Sequence, residues 1–385
     1  MKSPYFNEEH QLFRESLRAF IQTEFQPYFA EWEKENAIPR WAWKKMGEMG
    51  YLGICHEEEY GGMDADMFYQ VVFNEELSRS LNTGFAIAVA VHVYMATNHI
   101  AHAGNAFQKE KYLAPAIAGD MVAALGMSEP AVGSNVKGLK TFAEDRGDHY
   151  LVNGSKIFIT NGYYADFMTL VTDTANGISL LIVDLNAEGV TKNKLEKIGW
   201  HSSDTAEVFF QDVKVPKENL LGEEGQGFYF LSESLQMERL VLAMNSVGLM
   251  DGTLELTQQY MSEREAFGKP ISKFQALRHR LADIATELEA TRQLVYHTAW
   301  QVEQGEFAVK ECSMAKLLSA ELHKKLVDEC LQMFGGYGYM EEFPIAQVYR
   351  DARAASIVGG TSEIMREIIS KMMFEGVKYK RAYSK

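Results

Sequence analysis

The sequence predicts an α+β fold in three consecutive parts, helical, then antiparallel β, then helical. Three observations predict it. Apolar residues recur at helical spacing from Glu8 to about Leu125, and short β-branched or aromatic runs separated by Gly, Asn and Asp begin near Met127. The helical period then returns after Gly225 and Gly227. The parts are expected at 1–124, 125–228 and 229–385. A chain of 385 residues is long enough for this division, and 46% hydrophobic residues can fill its cores.

In the first part Leu12, Leu17, Phe20 and Ile21 recur at three-, four- and five-residue steps, and Trp41 to Met49, Phe68 to Leu81 and Phe107 to Ile117 behave similarly. Turns are expected at Gly61-Gly62 and Asn82-Thr83-Gly84. The most apolar stretch, Phe85 to Ala101, is interrupted by His92, Asn98 and His99 and falls short of the roughly 18 unbroken apolar residues of a membrane helix, so no membrane span is expected. Met1 to His10 lacks a basic start followed by an apolar run, which predicts no signal or transit peptide and a cytoplasmic protein. The expected strands are Tyr150 to Val152, Lys156 to Thr160, Phe167 to Thr172, Ser179 to Val183 and Val208 to Phe210. The last part breaks at Phe267-Gly268-Lys269-Pro270, at Gly305 and at the glycines of 335–338, and Lys378 to Lys385 reads as a frayed basic end.

Charge and spacing exclude several functions. A balance of 38 Lys and Arg against 53 Asp and Glu gives −15, which repels phosphate backbones and argues against nucleic acid as a partner. An anionic cofactor remains compatible, held by backbone N–H groups and a few Arg. Cys55, Cys312 and Cys330 lack C-x-x-C spacing and read as reduced, buried thiols. None of the ten histidines follows a Glu by three residues, and His99 and His102 have no carboxylate cluster beside them, so no metal site is expected. There is no Gly-x-Ser-x-Gly elbow or phosphate loop, and Gly335-Gly336-Tyr337-Gly338 follows a helical segment instead of the strand that a dinucleotide fingerprint requires.

The segment Met127 to Ser134 combines small residues, hydroxyls and one proline, either as a loop that approaches a ligand closely or as a plain turn between domains. In Gly154 to Gly162, alternation places Phe158 and Thr160 on one face. A flat ring system could stack on the first and bond to the second, unless Phe158 is simply packed. Leu231, Leu235, Glu238 and Leu242 are spaced by four, three and four, which sets the Glu238 carboxylate within an apolar helical stripe. Buried there it would hold its proton more tightly than usual and suit a general base; half-buried, it would reach solvent beside Arg239. Arg264, before a Gly-Lys-Pro turn, could bind phosphate or cap its helix. In Gly359-Gly360-Thr361-Ser362-Glu363, Thr361 or Ser362 can cap the following helix, and the glycines offer free N–H groups.

Taken in order, these motifs resemble the acyl-CoA dehydrogenase family over nearly the whole chain: Ser128-Glu129-Pro130 through Gly133-Ser134, Phe158-Ile159-Thr160-Asn161-Gly162, Phe267-Gly268-Lys269-Pro270, Gln332-Met333-Phe334-Gly335-Gly336-Tyr337-Gly338, Tyr349-Arg350-Asp351-Ala352-Arg353 and Gly360-Thr361-Ser362-Glu363-Ile364. The resemblance implies an N-terminal helical domain, a middle β domain, a C-terminal four-helix bundle, bound FAD and a homotetramer. It implies that the isoalloxazine meets Leu125, Met127, Ser128, Phe158, Ile159 and Thr160, with Gly133 and Ser134 in the same loop. Arg264, Phe267, Gln275, Gln332, Gly335 and Gly336 would meet the adenosine and pyrophosphate end, partly from a neighbouring subunit, and Thr361 and Glu363 the phosphate chain.

One departure concerns the base. Most members of the family carry the catalytic Glu directly before the Gly-Thr of the last motif, where this chain has Gly359. The long-chain and isovaleryl types place it in a Glu-Arg-Leu context, which here is Glu238-Arg239-Leu240. The resemblance thus implies α,β-dehydrogenation of an acyl-CoA, Glu238 taking the α-proton and flavin N5 the β-hydride. It further implies that the Gly359 N–H holds the thioester oxygen, that Ser134, Gln236 and Arg239 lie near the CoA arm and Gly360 near the acyl group, and that an electron-transfer flavoprotein accepts the electrons. Small residues from Gly84 to Ala90 either leave room for an acyl tail or permit close helix packing. Rival readings are an oxidase or monooxygenase-like relative using oxygen, and a flavin-binding subunit without catalysis. The length argues against the first and Glu238 against the second. Asn135 stands where the family often has Asp.

Overall fold

Asn7 opens the first helix through a reciprocal cap, its side chain accepting from the His10 N–H while His10 Nδ1 accepts from the Asn7 N–H. The computed structural model describes residues 4–379. In it α1 (Glu8–Glu24) is followed by α2 (Phe29–Glu35), α3 (Arg40–Glu48), α4 (Met67–Arg79) and α5 (Thr83–Ala90). Leu17 and Ile21 are buried, but Leu12 is 66% exposed. It lies five residues from Leu17 and hence about 140° around the helix from the buried stripe.

α5 continues through a π-helical segment, Val91–Ala96, into α6 (Thr97–Ala103). This stretch, Thr83–Ala103, is long and apolar enough to cross a membrane, yet 89% of its apolar window is buried inside the protein. The helix expected at 107–117 is broken into α7 (Ala106–Gln108), a π-helical turn at Lys109–Leu113 and α8 (Ala114–Ile117). Pro115 has no N–H to carry the α-helical ladder through.

β1 (Ala123–Gly126) then leads to β2 (Phe142–Asp145), β3 (His149–Thr160), β4 (Phe167–Thr172), β5 (Ser179–Asp184), β6 (Val190–Lys194), β7 (Thr205–Pro216) and β8 (Leu220–Leu221). They form two four-stranded sheets, ordered β1-β4-β5-β8 and β2-β3-β7-β6. The two runs expected at Tyr150 to Val152 and Lys156 to Thr160 are one strand, β3. Pairing is antiparallel as expected except that β1 runs parallel to β4. The chain between them crosses into the other sheet and returns, the long connection a parallel pair needs. Met168, Leu170, Leu181 and Val183 face the second sheet at Val152, Val208 and Phe210, while Phe167, Val171, Leu180 and Ile182 face Ala96, Ile100, Tyr112 and Ile117 of the helices. Burial on both faces explains why β4 and β5 read as nearly continuous apolar runs.

The last part holds α9 (Gly227–Glu263), a small hairpin of β9 (Glu265–Ala266) and β10 (Lys269–Pro270), α10 (Gln275–Glu303), α11 (Val309–Phe334), α12 (Pro344–Ala352) and α13 (Ser362–Phe374). α9 packs on α4, α10 and α11 and is therefore buried on nearly all sides from Glu238 to Met250. A Cβ at Gly248 would stand 2.3 Å from the Glu75 carbonyl oxygen, so only glycine lets α9 approach α4 this closely.

Candidate active site

Glu238 lies in the buried middle of α9, only 3% exposed. Its Oε1 accepts from the Ser234 hydroxyl one turn earlier, at 2.9 Å. Burial pushes its pKa up to about 7, and the Ser234 bond and the neighbouring Arg239 only partly oppose that. The half-exposed alternative therefore does not hold. Arg239 is also buried, and burial lowers its pKa; its Nε has no hydrogen-bond partner, and neither does the buried Oε1 of Gln236. Ser234 was not singled out in the sequence, although its spacing of four from Glu238 is the available signal.

Beyond α12 the chain passes Gly359 and Gly360, both with positive φ, before Thr361 caps α13 by accepting from the Ile364 N–H at 3.3 Å. This turn lies against α9: a Cβ on Gly359 would meet Leu242 Cδ1 at 2.3 Å. Leu242 is one turn after Glu238, so the glycine turn and the carboxylate share one neighbourhood. Lys316 of α11, 1% exposed, holds the turn by donating to the Gly360 carbonyl at 2.6 Å. Sequence reasoning missed Lys316, whose partner is 44 residues away. Glu363 is exposed on the first turn of α13.

A second group gathers around the end of β1. Leu125 is half-buried, and the loop after it is tied to β3, since Lys156 Nζ donates to the Met127 carbonyl and the Ile157 N–H to that of Ser128. A buried ion pair, Lys156 to Glu129 at 2.7 Å, anchors the same loop. Burial works against the Glu129 carboxylate, but bonds from Lys156, Thr141 and Lys140 outweigh it and hold its pKa below the usual value. Gly133 and Ser134 are exposed. Phe158 is 70% exposed with φ of +62°, Ile159 is buried and Thr160 half-buried. The register between β3 and β7 shifts between Lys156 and Ile159, so an irregularity in the strand, rather than plain alternation, turns the Phe158 ring outward.

Arg264, Phe267, Gln275, Gln332, Gly335 and Gly336 are all exposed, and Phe267 reaches 95%. They surround a small separate core of Met261, Ile271 and Met333, with the Arg264 guanidinium 5.2 Å from the Tyr337 ring. The structure thus brings Glu238, Gly359 and Gly360 together and groups Leu125 to Ser134 with Phe158 to Thr160. It sets the Arg264 group on its own surface.

Between the first two groups lies an apolar cluster. Ile87, Val91, Met95, Trp200 and Leu242 form one cluster, joined by the edges of Leu125 and Val358, and each of the five keeps 6–9% exposure where most core residues keep almost none. Gly84 serves close packing, since a Cβ there would stand 2.3 Å from Ser202 Oγ. Ile87 is the residue of the small-residue segment that joins this cluster. Among the described residues no group of His, Cys, Asp and Glu could hold a metal ion.

Family models for the N-terminal, middle and C-terminal domains of acyl-CoA dehydrogenases match residues 7–120, 124–213 and 225–374 in turn. The chain belongs to the acyl-CoA dehydrogenase family. It is 39% identical to the mouse mitochondrial long-chain specific acyl-CoA dehydrogenase over 376 residues, 96% of this chain and 87% of that protein. The crystal structure of an acyl-CoA dehydrogenase from Geobacillus kaustophilus superimposes with a TM-score of 0.93 at 43% identity, covering 97% and 100% of the two chains. An acyl-CoA dehydrogenase from Bacillus anthracis complexed with FAD gives 0.91 at 32% identity, covering 97% of this chain and 68% of that one. As a member of this family the protein is an oxidoreductase.

Proposed function

We propose that this acyl-CoA dehydrogenase converts an acyl-CoA thioester to its trans-2-enoyl-CoA, with Glu238 removing the α-proton. The observation that carries the proposal is the burial of Glu238, which brings its pKa to about 7, where a carboxylate is both present at neutral pH and basic enough to accept a proton from carbon. The cofactor is FAD, and the residues present fit it. Phe158 offers an outward ring held by a strained backbone, Thr160 a half-buried hydroxyl beside it, and a Cβ at Gly133 would touch nothing within 4 Å, which leaves a ligand free approach. Bound there, FAD supplies the acceptor for the β-hydride.

Leu125, Met127, Ser128 and Ser134 complete that face, with the Ile159 backbone between Phe158 and Thr160 and its side chain in the core, while Thr361 and Glu363 serve the phosphate chain. The exposed Arg264, Phe267, Gln275, Gln332, Gly335 and Gly336 suit the cofactor of a neighbouring subunit, which favours a homotetramer. The Gly359 N–H, in a turn fixed by Lys316, supports the thioester oxygen, where charge develops as the proton leaves. The buried Arg239 and the half-buried Gln236, each with an unpartnered buried polar atom, suit the CoA arm, and Gly360 the acyl group. An electron-transfer flavoprotein is the proposed acceptor. Anaerobic mixing of purified holoenzyme with a ladder of acyl-CoAs tests the reading: one or more esters should bleach the yellow flavin with stoichiometric enoyl-CoA. Failure of every ester, or turnover that yields hydrogen peroxide as fast as it reduces the flavoprotein, would overturn it.

A further inference from the structure

Six residues of α9 carry an aliphatic hydroxyl: Ser232, Ser234, Ser246, Thr253, Thr257 and Ser262. Five of them do what a hydroxyl inside a helix ordinarily does and donate to the carbonyl four residues earlier, at 2.7–2.9 Å. Ser234 does not. Its hydroxyl donates forward to Glu238 Oε1 at 2.9 Å, and both residues are only 3% exposed. Positions four apart lie on one helix face, so α9 alone sets this bond.

The bond makes the two carboxylate oxygens unlike. It is the one hydrogen bond of this carboxylate among the described residues, so Oε1 is anchored and Oε2 has no partner. A hydroxyl bonds a charged oxygen more strongly than a neutral one, and Ser234 therefore favours the ionised form that burial disfavours. Arg239 is the one charged group among the described residues that also bears on this proton. On the helices packed against α9, Lys316 and Cys312 of α11 bear on Arg239 instead, and burial keeps His323 neutral. Glu75 and Glu76 of α4 are engaged by Arg14, Arg292 of α10 by Asp251, and Asp351 of α12 by the Trp200 N–H. Burial likewise keeps His92 and His99, between α5 and the end of α6, neutral.

We propose that Ser234 is a positioning residue for the proton transfer: by holding Oε1 it fixes the rotation of the carboxylate and leaves Oε2 as the oxygen that takes the α-proton. The inference rests on the reading of Glu238 as the base and narrows it to one atom. As the α C–H bond breaks, the proton forms an O–H bond on Oε2 and the electron pair stays with the substrate. Oε1 keeps its bond to Ser234 throughout, so the carboxyl does not turn during the transfer. Unanchored, a glutamate side chain spreads over several rotamers. Misplacing a reacting group by about 1 Å costs up to about 10²-fold in rate.

The test measures kcat and KM for acyl-CoA from about pH 5.5 to 9.5 on FAD-matched holoenzyme of wild type, Ser234→Ala, Ser234→Thr and Glu238→Gln. Ser234→Ala removes the donor, so the midpoint of the kcat/KM profile should move up from about 7 by about one pH unit. On its alkaline plateau, where Glu238 is ionised again, kcat should stay about 10- to 100-fold below wild type with KM little changed. Ser234→Thr keeps a hydroxyl and should restore both values. Ser234→Cys, a weak donor, should fall between them and stands in for alanine if that variant does not fold. With Glu238→Gln impaired, an unmoved midpoint, a wild-type plateau, or a threonine variant that behaves like alanine overturns the proposal and leaves the base assignment intact. Undiminished turnover by Glu238→Gln overturns both.

Discussion

Exchanging Glu238 for Gln isolates the cost of the buried charge. The pKa of Glu238 rises from 4.5 to about 7 through burial. At about 1.4 kcal/mol per tenfold change in proton affinity, ionising the folded-state carboxyl costs about 3 kcal/mol more than ionising it in the unfolded chain. The sign follows from the raised pKa. The folded state binds this proton more tightly, so the contribution of Glu238 to stability is complete below pH 4.5 and lost as the pH rises through about 7. Glutamine stays neutral and its Oε1 can still accept from Ser234. Relative to wild type, Glu238→Gln should therefore gain about 3 kcal/mol of stability between about pH 4.5 and 8, whatever the offset at the acid end. Urea unfolding of both proteins across this range, at equal protein and FAD concentrations, measures the gap. A gap that does not change with pH would refute the argument that burial holds the proton on Glu238.

The same titration should govern turnover: kcat/KM for acyl-CoA should climb as the pH passes about 7 and Glu238 becomes ionised, and a profile flat from about pH 5.5 to 8.5 would contradict the assignment. Gly359→Ala places a Cβ at φ of +64° and 2.3 Å from Leu242 Cδ1, which should cost about 1–3 kcal/mol in thermal unfolding and lower kcat/KM. Adding Leu242→Ala should relieve the contact but not the backbone strain. Lys156→Met leaves Glu129 buried without its ammonium partner, so stability in urea should fall by about 3–5 kcal/mol and the purified protein should retain less FAD.

The α, β, α order was legible because helical and β texture each persist over whole stretches of chain, although β3, 12 residues long, was legible only as two shorter runs. Glu238 was legible for the same reason, since one carboxylate within a stripe of Leu231, Leu235 and Leu242 breaks a local pattern. What escaped were features set by distant partners. Lys156 and Glu129 are 27 residues apart, and Lys316 and Gly360 are 44 apart. Neither pair carries a spacing rule. The parallel pairing of β1 with β4 follows from a crossover whose route no local pattern reveals. The outward turn of Phe158 comes from a register shift against β7 rather than from its own sequence.

The assignment of Glu238 as base is tested most directly by the single-turnover rate at which acyl-CoA bleaches the flavin of Glu238→Gln holoenzyme, with FAD content matched to wild type. Loss of a positioned general base should slow bleaching by about 10²–10⁴-fold while acyl-CoA still binds. Bleaching at the wild-type rate would show that the α-proton leaves to another group.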